Sequence, residues 1–316
     1  MVKLPQHSYH VAVFYFMKQD FWSKFLLPCS VIDDVFTKPK GVNSLNKNDE
    51  KKLAKLSLLE EKTDQDLAEI EKIKAKELLF NNPPLSKTAI SMLTGKYAWF
   101  KYEKKMASKG GFLSYLDKGN VLENDAINIM SDIDKVNYVK NSLKLKNEFL
   151  IGCPDIISKE NNLVIDTKVA WNLNTFLMAR NGLEDKYWFQ AQGYMELCDI
   201  DICDVCFLLL DTPYEIVQRE FSKIISAFTL GEISIESYNE KIENLSSSMA
   251  YNNIPLKRRI IRYRVKRDKS VMPIIYKKVE MCRDFLRRLD KEHMRNKIIV
   301  SLHPKKVNVN QEEDNS

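Results

Sequence analysis

The stretch that most constrains this chain is "LIGCPDIISKENNLVIDTKVAW", Leu150 to Trp171. Its second half, "LVIDTKV", has the apolar and β-branched residues of a buried strand, yet Asp166 and Lys168 stand in the middle of it. Successive side chains of a strand alternate faces, so Asp166 and Lys168 share one face, and Ile165, Thr167 and Val169 share the other. Burying either charge alone is costly, so the two need each other, a metal ion or a polar cleft.

The turn-rich "SKENN" between Ile157 and Leu163 predicts an antiparallel hairpin of "NEFLIGCPDII" and "LVIDTKV". If Asp155 pairs across from Asp166, their Cβ atoms lie about 5 Å apart. Two carboxylates that close repel unless a cation sits between them. Hard cations such as Mg²⁺ are held by one or two carboxylates together with substrate phosphate oxygens, so the pattern suits phosphodiester chemistry. For an isolated D-x-K, a salt-bridge cluster in a half-exposed hairpin is the commoner outcome, and the rest of the chain has to decide.

The 316 residues suffice for one large domain or two ordinary ones, and a 44% hydrophobic content predicts a globular chain. No apolar run approaches the roughly 20 residues of a membrane helix, and "MVKLPQHSYHVAVFYF" has no cleavable signal pattern. The expectation is a cytoplasmic protein with no membrane association. Residues 1–37 are aromatic-rich and should pack on the core. Residues 38–84 are rich in Lys, Glu, Asn and Leu and predict a charged helical arm without a lasting heptad. "LSKTAISMLTGKYAWFKYEKK" predicts a helix with a Ser or Thr cap. In "LDKGNVLENDAINIMSDI", Gly119 is expected to precede a helix whose apolar face carries Leu122, Ala126, Ile127 and Met130. A helix around "EDKYWFQAQGYMEL" and a strand "DVCFLLLD" follow, an alternation that argues for a mixed α/β domain over 85–300. Residues 301–316 read as a disordered tail.

Charge is distributed unevenly. The chain is +6 overall, but residues 257–288 hold thirteen lysines and arginines against three acids, leaving the remainder slightly acidic. "RRIIRYRVKR" alternates basic with apolar or aromatic residues, as a strand with one charged face would. Such a face, with Arg259, Arg262, Arg264, Lys266 and Arg267, can track a phosphate backbone. A solvated basic edge strand is the competing reading. Trp171 either stacks on a base or caps the sheet.

Pro154-Asp155 followed by Asp166-x-Lys168 resembles the P-D…(D/E)-x-K signature of the restriction-endonuclease-like nuclease superfamily. Upstream, "KGNVLENDAI" resembles the G-x-x-x-E helix of λ-type exonucleases and gives Glu123. Downstream, "YWFQAQGYMEL" resembles the Q-x-x-x-Y element of the λ-exonuclease, RecB-nuclease and YqaJ-like branch, matching Gln190 and Tyr194. Gln192 offers a second glutamine without the four-residue spacing. The resemblance covers roughly residues 85–213. It implies a mixed central sheet flanked by helices. It also implies a Mg²⁺ site, with Mn²⁺ as a substitute, on Asp155, Asp166 and the backbone carbonyl of Thr167. Glu123 would complete the site directly or through water, Lys168 would position the attacking water, and Gln190 and Tyr194 would brace the site and contact the substrate backbone.

The activity implied is that of a Mg²⁺-dependent DNA exonuclease resecting duplex ends for recombination, phage- or prophage-encoded in a bacterial cell. A single-strand annealing protein and further copies of the chain are its expected partners. Two alternatives stand beside it: an endonuclease or defence nuclease on the same core, and a non-catalytic DNA-binding protein. Some nucleases carry an iron–sulfur cluster on one early and three late cysteines, which here would be Cys29, Cys198, Cys203 and Cys206. Packing of these thiols as small core hydrophobes is the stronger expectation.

Overall fold

In the computed structural model, which describes residues 22–39, 46–59, 62–81, 84–103 and 114–294, strands and helices alternate as the sequence predicts. In chain order they are β1 (Leu27–Pro28), α1 (Ile32–Phe36), α2 (Lys47–Ser57), α3 (Asp64–Asn81), α4 (Lys87–Tyr102), α5 (Ser114–Asp134), β2 (Leu145–Lys146), β3 (Leu150–Gly152) and β4 (Ile156–Ser158). Then come β5 (Leu163–Val169), α6 (Leu173–Met178), α7 (Asp185–Cys198), β6 (Ile202–Leu208), α8 (Tyr214–Thr229), α9 (Ile235–Ser248), β7 (Ile260–Lys266) and α10 (Val271–Met294). The expected tail at 301–316, and the aromatic residues before Trp22, lie outside the described residues. Among the described residues, no helix is long and apolar enough to cross a membrane.

The main sheet runs β4-β5-β6-β7, antiparallel at both edges and parallel at the centre. Side-chain alternation gives it two working faces. Val164, Val205 and Phe207 join Ala191, Tyr194 and Met195 of α7 in the larger core, which also takes in Trp22, Phe25, Leu27, Cys29, Ile32 and Val35. Ile165, Cys206 and Leu208 face the other way, onto Leu122, Ala126, Ile127 and Met130 of α5. Asp166 and Lys168 alternate with Ile165 and Thr167, so they belong to the face that α7 covers.

The hairpin forms in the required register. Ile156 pairs with Ile165, Ile157 with Val164 and Ser158 with Leu163, and one further step sets Asp155 opposite Asp166. Asn162 closes the turn at φ 49°, a left-handed conformation that asparagine tolerates, and its N–H donates to Lys159 O at 3.1 Å. The first arm is shorter than expected, however. Leu150–Gly152 leaves the hairpin for a second sheet of order β1-β3-β2, pairing Leu150 with Leu27 in parallel. Pro154 accounts for the break, because it has no N–H and restricts the residue before it. Asn141 takes over at this corner, its N–H donating to Asp155 O at 2.7 Å and its side-chain amide to Pro154 O at 2.9 Å.

A second expectation is corrected at Gly119, which lies inside α5 and not before it. Lys118, Leu122, Ala126 and Met130 recur every four residues and are all buried. That packing outweighs the ~1 kcal/mol propensity cost of an internal glycine. Ser86 caps α4 by accepting from the N–H of Ala89 at 3.1 Å. The charged stretch forms the two helices α2 and α3, joined by Lys52–Glu69 and Lys76–Asp49 ion pairs at 3.0 and 3.2 Å.

Candidate active site

Asp155 stands at the corner after Pro154, and its Oδ2 accepts from both the N–H (2.6 Å) and the hydroxyl (2.7 Å) of Thr167. Asp166 is 2% exposed. Lys168 Nζ lies 2.8 Å from the buried Asp166 Oδ2, a close ion pair. Burial, then the charge of Asp166, pushes the Asp155 carboxyl up to about 7 against the pull of Thr167 and Lys168. Burial works against the Lys168 ammonium, yet Asp166 and then Asp155 outweigh it and hold its pKa above the ordinary lysine value. Two paired carboxylates with a single lysine make a site short of positive charge. Hard oxygen donors in that arrangement fit a divalent cation. Among the described residues, no three His, Cys, Asp or Glu side chains converge as a metal-binding group, so a third ligand has to come from backbone, water or substrate.

Gln190 and Tyr194 are buried on α7, and the amide of Gln190 donates to the Tyr194 hydroxyl at 2.8 Å. Burial, then Asp166, pushes the phenol well above the usual tyrosine range. Tyr194 packs against the bare backbone of Gly152, where a Cβ would stand 2.8 Å from its ring. Gln192 has a different job: its side chain donates to Lys266 O (2.9 Å) and accepts from the N–H of Asp268 (2.8 Å), tying α7 to the turn after β7.

Glu123 lies beside the pair but does not join it. Its Oε2 is ion-paired with Lys140 at 2.8 Å, and Lys140 bridges to Ile156, next to Asp155. Burial and the negative charges of Asp155 and Glu123 together raise the Cys153 thiol, which places both carboxylates about the same corner.

The basic strand is not brought to this site. On β7, Arg262 and Arg264 pair with Cys206 and Asp204, on the α5 face of the sheet and opposite Lys168. Both are ion-paired within the chain. Arg264 holds the fully buried Asp204 in a bidentate pair at 2.9 Å, and Arg262 grips Asp134 at 2.8 and 2.9 Å. Arg267 pairs with Glu196 and Asp199, and Arg259 lies 3.7 Å from Asp211. Lys266 is exposed. The sequence shows the basic residues, whereas their partners stand up to 128 positions away.

The four cysteines do not converge either. Cys203 and Cys206 fall on opposite faces of β6, one in each core. Cys29 is wedged against α7, with its Sγ 2.7 Å from where a Cβ on Gly193 would lie.

Two residues beside the site escape a motif reading. Tyr187, one turn before Gln190, has the Lys168 ammonium 5.5 Å from its ring centroid. Lys118, fully buried, donates to Trp171 O at 3.0 Å. Spacing is the signal that marks each: Tyr187 precedes Gln190 by three residues, and Lys118 follows Ser114 in the buried four-residue stripe of α5.

Neither a family model nor a curated protein matches the chain. Among solved structures it is similar to a phage-related exonuclease from Haemophilus somnus 129PT, with a TM-score of 0.58 and 22% identity over 85% of this chain and 97% of that one. The alkaline exonuclease LHK-Exo from Laribacter hongkongensis aligns with a TM-score of 0.47 and 10% identity over 88% and 96% of the two chains. The same enzyme in complex with dAMP aligns with a TM-score of 0.47 and 12% identity over 88% and 94%. The chain has the fold of the phage-related exonuclease from Haemophilus somnus.

Proposed function

We propose that the chain is a divalent-metal-dependent DNA exonuclease that hydrolyses phosphodiester bonds from the ends of linear duplexes, as recombination requires. The observation that carries this reading is the convergence of Asp155, Asp166 and Lys168 at one corner of β5, on a fold shared with a phage-related exonuclease.

Asp155 and Asp166, with the backbone carbonyl of Thr167, would hold Mg²⁺, or Mn²⁺ in its place. When bound, the ion supplies a water of lowered pKa and offsets charge on the phosphate. Thr167 fixes the Asp155 carboxylate through two hydrogen bonds, which leaves Oδ1 for the ion. Lys168, kept protonated by Asp166, orients the attacking water and faces the negative charge that develops on phosphorus. Gln190 aims the Tyr194 hydroxyl, whose raised pKa keeps it a neutral donor. Glu123 acts through water, or directly once Lys140 releases it.

The test is cleavage of linear against covalently closed circular duplex with Mg²⁺. Digestion of the linear form alone, abolished by Asp166→Asn, is the expected result. Nicking of the closed circle would replace this reading with an endonuclease on the same core, and cleavage of neither would leave a DNA-binding protein.

A further inference from the structure

A cleft of about 750 Å³ opens on the Lys168 side of the sheet, lined by Tyr115, Lys168, Trp171, Met178, Tyr187 and Phe207 among others. Its lining is unusual for a surface that meets only water. Tyr115 and Met178 are 52% and 61% exposed at its rim, a concentration of apolar groups in a concave place that marks binding surfaces.

The two inner aromatics are held in place by cations. The Tyr187 ring has Lys168 Nζ 5.5 Å and Lys186 Nζ 4.6 Å from its centroid, and meets Phe207 edge-on at 5.3 Å. Trp171 is anchored by Lys118, which donates to its carbonyl at 3.0 Å and sits 6.0 Å from its ring. Lys118 Nζ also lies 5.5 Å from the Tyr251 ring centroid, and desolvation pulls its pKa down to about 8 against the charge of Asp211. Held between Tyr251 and Trp171, the ammonium fixes the orientation of Trp171.

We propose that this cleft is a nucleobase subsite: the unpaired base of the nucleotide adjoining the scissile phosphate stacks on Tyr187 and Trp171, with Lys118 the positioning residue that fixes Trp171. The proposal rests on the nuclease reading for the placement of the phosphate at Lys168. Stacking tolerates every base, because each has a π face, and so suits an enzyme that must digest any sequence.

The test is equilibrium binding of the full-length chain, by fluorescence anisotropy in EDTA, to a labelled single-stranded tetrathymidylate and to an abasic tetramer of equal charge. The expected result is roughly 5- to 150-fold tighter binding of the strand that carries bases, the range set by stacking one base. Trp171→Ala and Tyr187→Ala should remove most of that ratio, and Tyr187→Phe should keep it. Lys118→Met should lower the ratio while leaving affinity for the abasic strand in place; an equal loss for both strands would reduce Lys118 to a fold residue. Equal affinities in the unaltered protein would overturn the subsite, with no variant needed. Discrimination without cleavage of linear DNA would sink the nuclease reading and leave the subsite standing, and cleavage with equal affinities would do the reverse.

Discussion

At the residue scale, Asp155 and Asp166 show how a cation requirement is written into two side chains. Without a cation, Asp155 keeps its proton up to about pH 7 because burial and Asp166 disfavour its charge. The unfolded chain releases that proton near 3.9. Between these values the folded state binds more protons than the unfolded one, so this group makes stability fall as pH rises from about 4 to 7. A metal ion has to displace the proton, so its affinity rises over the last part of that window and levels off above it. The melting temperature should therefore increase on adding Mg²⁺, by more at pH 8 than at pH 6, in thermal unfolding scans. Asp155→Asn should remove the Mg²⁺ response and leave the metal-free protein at least as stable. Asp166→Asn and Lys168→Ala should each lower the cleavage rate by ~10²-fold or more, the size seen when a group facing developing charge is lost; rates on end-labelled linear duplex check this.

At the scale of elements, the active-site helix α7 is seated by contacts only glycine permits. A Cβ at Gly152 would lie 2.8 Å from the Tyr194 ring and 2.9 Å from Cys29 Sγ. Gly152→Ala should cost about 1–3 kcal/mol of overpacking and move Tyr194 as well, so urea unfolding and cleavage rate should both change. Lys118 gives α5 a distinct pH signature. Its folded pKa of about 8 lies below the usual lysine value near 10.4. Above pH 8 the unfolded chain binds the proton that the folded chain has released, so this residue makes stability rise with pH. Relative to Lys118→Met, the unaltered protein should gain melting temperature between pH 7 and 9.5. Sequence legibility divides along the same lines. The alternation in "LVIDTKV" and the turn "SKENN" give the strand, its partner and the register that sets Asp155 against Asp166. Period alone could not show that Leu150–Gly152 pairs with Leu27–Pro28, more than a hundred residues away. Nor could it show that Arg262 and Arg264 pair with Asp134 and Asp204, because local pattern carries no information on distant partners.

Over the whole molecule, the site depends on how the first and last described segments lock around α7. Leu27 pairs beside Leu150, Phe36 stacks on Phe189 at 4.3 Å, and Ile32 lies against Gly193. The aromatic and apolar residues from Trp22 to Val35 thus complete the core that carries Gln190 and Tyr194. Arg283 of α10 is the tie that closes this arrangement. It is 4% exposed, and its guanidinium donates to Phe25 O at 3.0 Å and Glu148 O at 2.5 Å, pairs with Glu280 at 2.7 Å and lies 5.1 Å from the Phe149 ring centroid. One side chain thereby joins the N-terminal segment, the last helix and the residues that lead into β3. Replacing it with methionine keeps much of its volume but leaves two carbonyls without a donor, each worth roughly 1–3 kcal/mol when buried. Arg283→Met should therefore lower stability by about 2–6 kcal/mol, read as a shift of the urea midpoint. Because the loss loosens the segment that seats α7, cleavage should fail at a lower temperature than in the unaltered protein. At temperatures where the variant remains folded, its rate should be close to normal, because Arg283 touches none of Asp155, Asp166 or Lys168.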